Sequence, residues 1–100
     1  LYVNGSFGAN LRTETADYTA DADDYTIIGD PAGSDITIDL PTASGISGRV
    51  YIIKNIDATD NVIIDPAGTE TIDGATTVTI STQWETVVVQ SDGTNWFKVN

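Results

Sequence analysis

Cysteine and histidine are both absent from this chain of 100 residues. Without cysteine, the protein has neither disulfides nor a thiolate metal site to support its core. Without histidine, it lacks the side chain that most often serves as general base and as zinc or copper ligand. A domain of this size buries only about 60–70% of the surface that its unfolded chain exposes. Association with other copies is one remaining source of stability, and we expect no cofactor.

Basic residues are scarce, with 4 Lys and Arg against 15 Asp and Glu, which gives a formal net charge of −11. A surface this acidic repels phosphate backbones and anionic headgroups, so we expect neither nucleic-acid partners nor membrane insertion. No apolar segment is long enough to span a bilayer, and no signal peptide begins the chain. Because the chain starts at Leu1 rather than Met, we expect a fragment or a processed product.

Short runs of β-branched and aromatic residues, separated by turn sequences, fill most of the chain. Ile36, Ile38 and Leu40 alternate with polar residues, as in a half-buried strand. No helical periodicity is sustained, and the many threonines disfavour helix. The predicted strands cover residues 13–19, 25–28, 36–40, 48–55, 62–64, 76–81, 86–89 and 96–99.

These runs predict an all-β fold, a small antiparallel β-sandwich or prism-like module over residues 17–100. Residues 1–16 are interpreted as a connector or an entering strand. Residues 50–53 and 87–89 are continuously apolar, which indicates strands buried on both faces. Burying one such face on a neighbouring copy would stabilise by roughly 25 cal/mol per Å² of apolar surface. Self-association is therefore favoured over a monomer whose own loops cover the second face.

One internal similarity stands out. Residues 27–33, Ile-Ile-Gly-Asp-Pro-Ala-Gly, resemble residues 63–68, Ile-Ile-Asp-Pro-Ala-Gly. Asp-Pro-Ala-Gly is a good turn sequence that can arise twice independently. The alternative is a duplicated β-hairpin.

Several short motifs occur in an order that resembles a small β-module of bacteriophage tail fibres, also found in large bacterial surface proteins. The motifs are Leu40-Pro41, Gly48-Arg49, Ile53-Lys54-Asn55, Ile72-Asp73-Gly74 and Ser91-Asp92-Gly93-Thr94-Asn95-Trp96. The resemblance extends over residues 17–99 and implies a homotrimeric, receptor-binding segment of a virion appendage or extracellular surface. It implies no active site.

Two tryptophans are candidates for contact with host surface glycan, because an indole face can stack on a pyranose ring. Trp96 follows a turn in which Asp92 and Asn95 could bond sugar hydroxyls, so these three residues form the predicted ligand site. The alternative is that Trp84 and Trp96 are core or interface residues, because aromatic side chains dominate burial energetics. For both tryptophans the alternative is favoured, more strongly for Trp84.

Other polar groups have simpler interpretations. The acidic turn at residues 21–24 offers oxygens for calcium but lacks the spacing of an EF-hand loop, so a solvated turn is favoured and no metal site is predicted. Arg49 and Lys54 are expected to pair with carboxylates rather than with a receptor. Carboxylate pairs could hydrolyse glycosides. With 15 acidic residues, however, such pairs arise by chance, so we expect no enzyme.

The sequence therefore leads to a structural and adhesive module of a phage tail fibre or a similar appendage, partnered by its own copies and by host glycan. The alternative is a subunit or repeat of a bacterial surface filament or adhesin. The two differ in whether tandem copies surround the chain.

Overall fold

The chain first crosses back and forth between two β-sheets and then doubles back along them. The structure is a computed structural model that describes residues 2–100. Its strands, within those residues, are β1 (Leu11–Glu14), β2 (Tyr18–Thr19), β3 (Thr26–Gly29), β4 (Ile36–Asp39), β5 (Val50–Asn55), β6 (Val62–Asp65), β7 (Val78–Ile80), β8 (Thr86–Ser91) and β9 (Trp96–Lys98).

Sheet A has the strand order β1-β3-β5-β8-β9, and sheet B has the order β2-β4-β6-β7. In both sheets the first three strands are parallel, because each crossing to the other sheet returns the chain in the same direction. The step from one coil to the next is 26 residues in both sheets, from Thr26 to Ile52 and from Ile36 to Val62. Strands β7, β8 and β9 then pair antiparallel.

The all-β, two-sheet architecture predicted from the sequence is confirmed. Each predicted strand is present, and the segment 13–19 divides into β1 and β2. The pairing is mixed rather than wholly antiparallel. The duplicated hairpin is wrong, because residues 27–33 follow β3 of sheet A whereas residues 63–68 follow β6 of sheet B. The two Asp-Pro-Ala-Gly turns are therefore not equivalent positions of a repeat.

The core lies between the sheets and is made by every second residue of each strand. In β5, for example, Tyr51, Ile53 and Asn55 are buried while the residues between them are half-buried. Asn55 is accommodated because its amide nitrogen donates to the backbone carbonyl of Ile80 at 2.9 Å and its oxygen accepts from the N–H of Asp57 at 2.8 Å. The buried hydrophobic residues are Ala20, Ile27, Ile36, Ile38, Leu40, Ala43, Tyr51, Ile53, Val62, Ile64, Ile72, Ile80, Val87, Val89 and Trp96.

The two sheets approach most closely where β3 ends. A Cβ atom at Gly29 would lie 2.5 Å from Cγ2 of Val62, closer than any real contact. Gly29 is therefore required for lack of a side chain and not for backbone freedom.

We expect Gly29→Ala to lower the free energy of unfolding by about 1–3 kcal/mol, as overpacked cores do. Gly8→Ala is the matched control, because nothing lies within 4 Å of its added Cβ. Urea unfolding followed by circular dichroism measures both. Equal stability of the two variants would contradict this account of sheet packing.

Candidate interaction surface

The outer face of sheet A carries an almost continuous row of apolar side chains. Strand register places Leu11, Thr26, Ile52 and Val88 side by side. Val99 extends the row, because its N–H donates to the carbonyl of Val88 at 2.9 Å. The outer face of sheet A, as defined by register and alternation, consists of Leu11, Thr13, Thr26, Ile28, Val50, Ile52, Lys54, Thr86, Val88, Gln90, Phe97 and Val99.

Much of this apolar surface is open to solvent. Leu11 is 62% exposed and Val99 is 52% exposed, at the two edges of the row. Ile52 and Val88 between them are half-buried. Strands β5 and β8 are therefore covered on their inner face only. Whether another copy covers the outer face remains a prediction.

The two outer faces of the molecule differ in charge. Lys54 is the one charged residue on the outer face of sheet A as defined above. On the outer face of sheet B, Asp39 lies beside Asp65 in neighbouring parallel strands. Burial raises the pKa of Asp39 above its usual range, and the negative charges of Asp65 and Asp17 raise it further. Copies of a chain with net charge −11 therefore meet least repulsion through sheet A.

Trp96 belongs to the core and is not a surface residue. Its exposed fraction is 0%, and its ring centroid lies 5.7 Å from that of Tyr51. Within residues 2–100, its buried Nε1 has no hydrogen-bond partner. The ring presents no face to a sugar, so the predicted glycan contact of Trp96 is wrong. The parity of β9 explains this, because Trp96 pairs with buried Ser91 on the inner face.

Asp92 and Asn95, the other two predicted ligand residues, organise their own turn. Oδ1 of Asp92 accepts the backbone N–H groups of Thr94 and Asn95 at 2.9 and 2.8 Å. These two bonds, that from Asn95 first, hold the pKa of Asp92 below its usual range. Oδ1 of Asn95 accepts from the N–H of Thr71 at 3.0 Å. Glycan contact by these two side chains stays a prediction.

Trp84, by contrast, is on the surface, with 60% of its area exposed. It lies in the turn between β7 and β8 and has a backbone φ of 72°, in the left-handed region. Its core placement, the favoured interpretation of the sequence, is wrong. No signal in the sequence distinguishes Trp84 from Trp96, because both stand next to turns.

Arg49 and Lys54 do not form the predicted ion pairs. Nζ of Lys54 donates to the carbonyl of Trp84 at 2.8 Å, and Nη1 of Arg49 lies 3.3 Å from the Tyr51 hydroxyl. Among the described residues, the ion pairs are those that Arg12 forms with Glu14 and Asp24.

Arg12, Tyr18 and Asp24 form a polar cluster at the end of the core. Arg12 is in register with the buried Ile27, and its guanidinium lies 4.1 Å from the centroid of the Tyr18 ring. The Tyr18 hydroxyl donates to Oδ2 of Asp24 at 2.6 Å. Burial, followed by this hydrogen bond, raises the pKa of Tyr18 to about 12.

The acidic turn at residues 21–24 makes internal bonds. The Asp24 carboxylate accepts the N–H of Asp21 at 3.0 Å, and Oδ1 of Asp21 accepts the N–H of Asp23 at 2.9 Å. In the part of the chain that the structure describes, no acidic side chains are grouped to hold a metal ion.

An open hollow of about 420 Å³ lies beside the turns that precede β2 and β4, and its lining includes Asp17 and Asp35. Oδ1 of Asp17 accepts the N–H of Thr37, and Oδ1 of Asp35 accepts that of Asn61, both at 2.8 Å. These carboxylates connect neighbouring coils, so the hollow has an evident structural purpose.

No protein-family model matches the sequence, and the curated proteins include no significant match. From Tyr2 to Asn100, the structure contains no helix with the length and apolar character needed to cross a membrane.

The pKa of Tyr18 predicts a loss of stability at high pH. The tyrosine of an unfolded chain titrates near pH 10, whereas Tyr18 in the folded chain titrates at about 12. Between these values the unfolded chain releases a proton that the folded chain keeps, so the free energy of unfolding falls as pH rises from about 10 to about 12.

The measurement is urea unfolding across this pH range for the wild type and Tyr18→Phe. The variant keeps the aromatic ring but lacks the titrating hydroxyl, so its stability should fall less steeply. Identical pH dependence in the two proteins would contradict the assignment.

Calcium should leave the melting temperature unchanged, because the carboxylates of Asp21 and Asp24 are already used in bonds of their own turn. Calorimetry with millimolar calcium or with EDTA tests this. A rise in melting temperature with calcium that Asp21→Asn abolishes would contradict it.

Proposed function

We propose that this chain is a structural and adhesive module that associates with its own copies through the outer face of sheet A. The supporting observation is the exposed row from Leu11 to Val99, which is apolar apart from Thr26 and contains no carboxylate. Apolar patches that stay exposed on a soluble domain commonly mark contacts with other molecules.

A second copy is the favoured occupant for an electrostatic reason. At a net charge of −11, two copies repel each other over most of their surfaces. The outer face of sheet A is the side on which apolar burial is opposed least by that repulsion. The inner face of this sheet already packs on sheet B, so packing its outer face on another copy would make a further sheet-on-sheet contact.

The area of this face is informative. Five strands about 4.8 Å apart and up to six residues long cover roughly 400 Å². A standard interface buries about 800 Å² on each partner. The sheet face supplies about half of that area, so the surface at its margins must also contribute.

We propose a homotrimer within a phage tail fibre or a similar virion or extracellular appendage. The number three and the appendage come from the order of turn motifs that ends at Trp96. Contact with host surface glycan is proposed as the adhesive part of this function. The alternative is a subunit or repeat of a bacterial surface filament or adhesin, which would use the same apolar face but form open rather than closed assemblies.

Light scattering at micromolar concentration should give a mass of three chains, whereas a filament subunit would give larger and concentration-dependent masses. A mass of one chain at this concentration would contradict self-association in either form.

A pair of variants tests the face itself. Ile52→Lys places a charge on the outer face of sheet A, and Ile63→Lys places the same charge on the outer face of sheet B. Both isoleucines are half-buried in strands that have neighbours on both sides. We expect Ile52→Lys to weaken association by at least about 2 kcal/mol, or roughly 30-fold, because it desolvates an unpaired ammonium group.

Ile63→Lys should associate like the wild type. Circular dichroism should show that both variants fold. Equal assembly of both variants, or selective loss in Ile63→Lys, would contradict the assignment of the interface to sheet A.

A further inference from the structure

Trp84 lies at one end of the outer face of sheet A, directly before β8. Nζ of Lys54 donates to the carbonyl of Trp84 at 2.8 Å and lies 3.4 Å from Oγ1 of Thr86. Lys54 and Thr86 are neighbours on the outer face. The exposed indole is therefore continuous with the apolar surface already assigned to self-association.

The backbone of Trp84 is held in an unfavourable conformation. Its φ of 72° lies in the left-handed region, where a residue with a Cβ atom is sterically strained. Its N–H donates to the carbonyl of Asn55 at 2.7 Å, and the N–H of Asn55 donates to the carbonyl of Glu85 at 3.1 Å. Asn55 is buried, so the turn rests on a fixed support. A glycine would adopt this φ without strain, yet the position holds the largest side chain.

The polar groups nearest to Trp84 in the turn are already bonded to the backbone. Nζ of Lys54 is bound to the carbonyl of Trp84, and Nε2 of Gln83 donates to the carbonyl of Ile56 at 3.3 Å. A small-ligand site normally combines an apolar wall with converging polar groups that orient the ligand. An indole that joins an apolar sheet face matches a protein partner better than a sugar.

We infer that Trp84 is an anchor residue of the contact between copies of this chain, where its indole packs on the apolar outer face of a second copy. This inference rests on the proposed self-association and adds the residue that dominates it. An aromatic side chain buries about 150–250 Å², so burial of the exposed 60% of Trp84 would contribute area that the sheet face lacks. Tryptophan is also enriched among interface residues whose truncation costs most affinity.

The two tryptophans give a direct optical test. Trp96 is fully buried, so acrylamide should quench Trp84 selectively in the free chain. We expect the wild type to show weak quenching when assembled and strong quenching, with red-shifted emission, after dilution to the monomer. Trp84→Phe should show weak quenching of Trp96 at all concentrations.

Light scattering on the same samples separates the two proposals. If the wild type assembles but Trp84 is quenched equally before and after dilution, the anchor is refuted and self-association stands. If the wild type is monomeric throughout, both are refuted. If a neutral oligosaccharide protects Trp84 from acrylamide in the monomer while assembly leaves it open, Trp84 is a glycan site instead.

Trp84→Gly separates an anchor from a merely structural residue. Glycine relieves the strain at φ 72°, so the urea midpoint of the monomer should be unchanged or higher. The dissociation constant of the assembly should rise about 30-fold, equivalent to about 2 kcal/mol. Tyr2→Gly is the control, because Tyr2 is 86% exposed and lies outside the outer face of sheet A, so its loss should leave assembly unchanged. Unchanged assembly in Trp84→Gly, or a lowered midpoint, would overturn the inference.

Discussion

The packing of two inner sheet faces against each other is the constraint on which the rest of the structure depends. Because side chains alternate along a strand, committing Ile53 and Val87 to the core forces Ile52 and Val88 outward. The apolar character of the outer face is therefore inseparable from the register that builds the core. A one-residue slip would exchange the two sets. Gly29, where the sheets come closest, fixes their separation and hence this register.

The strands could be predicted from the sequence because β-branched runs and Asp-Gly or Asp-Pro turns are local signals. The pairing could not, because nothing within residues 26–29 indicates that their partner lies 26 residues further on. An antiparallel hairpin is the default expectation for short strands joined by turns, and the crossing between sheets overrides it. The continuous apolar run at residues 50–53 correctly indicated a strand with unusual demand for cover, although its outer face is only half-covered in the single chain.

The candidate site was harder to predict for a related reason. Burial of Trp96 depends on its pairing with Ser91 across a hairpin, and exposure of Trp84 depends on a positive φ. Neither property is visible in the residues nearby. Leu11 and Val99 become a surface only when five strands align, because they are separated by almost the whole length of the chain. A row of this kind is a property of topology, and composition alone does not reveal it.

The polar cluster at the first coil bears on how an assembly of such chains can extend. Arg12 occupies the position that buried isoleucines take in the next two coils, and it is paired with Glu14 and Asp24. Stacking another coil end-on over β1 and β2 would bury these ions at a desolvation cost that their mutual attraction rarely repays. The cluster acts as a terminator, as polar capping repeats do in solenoids. Growth along the coil axis is thereby blocked at this end, which leaves lateral contact as the open direction.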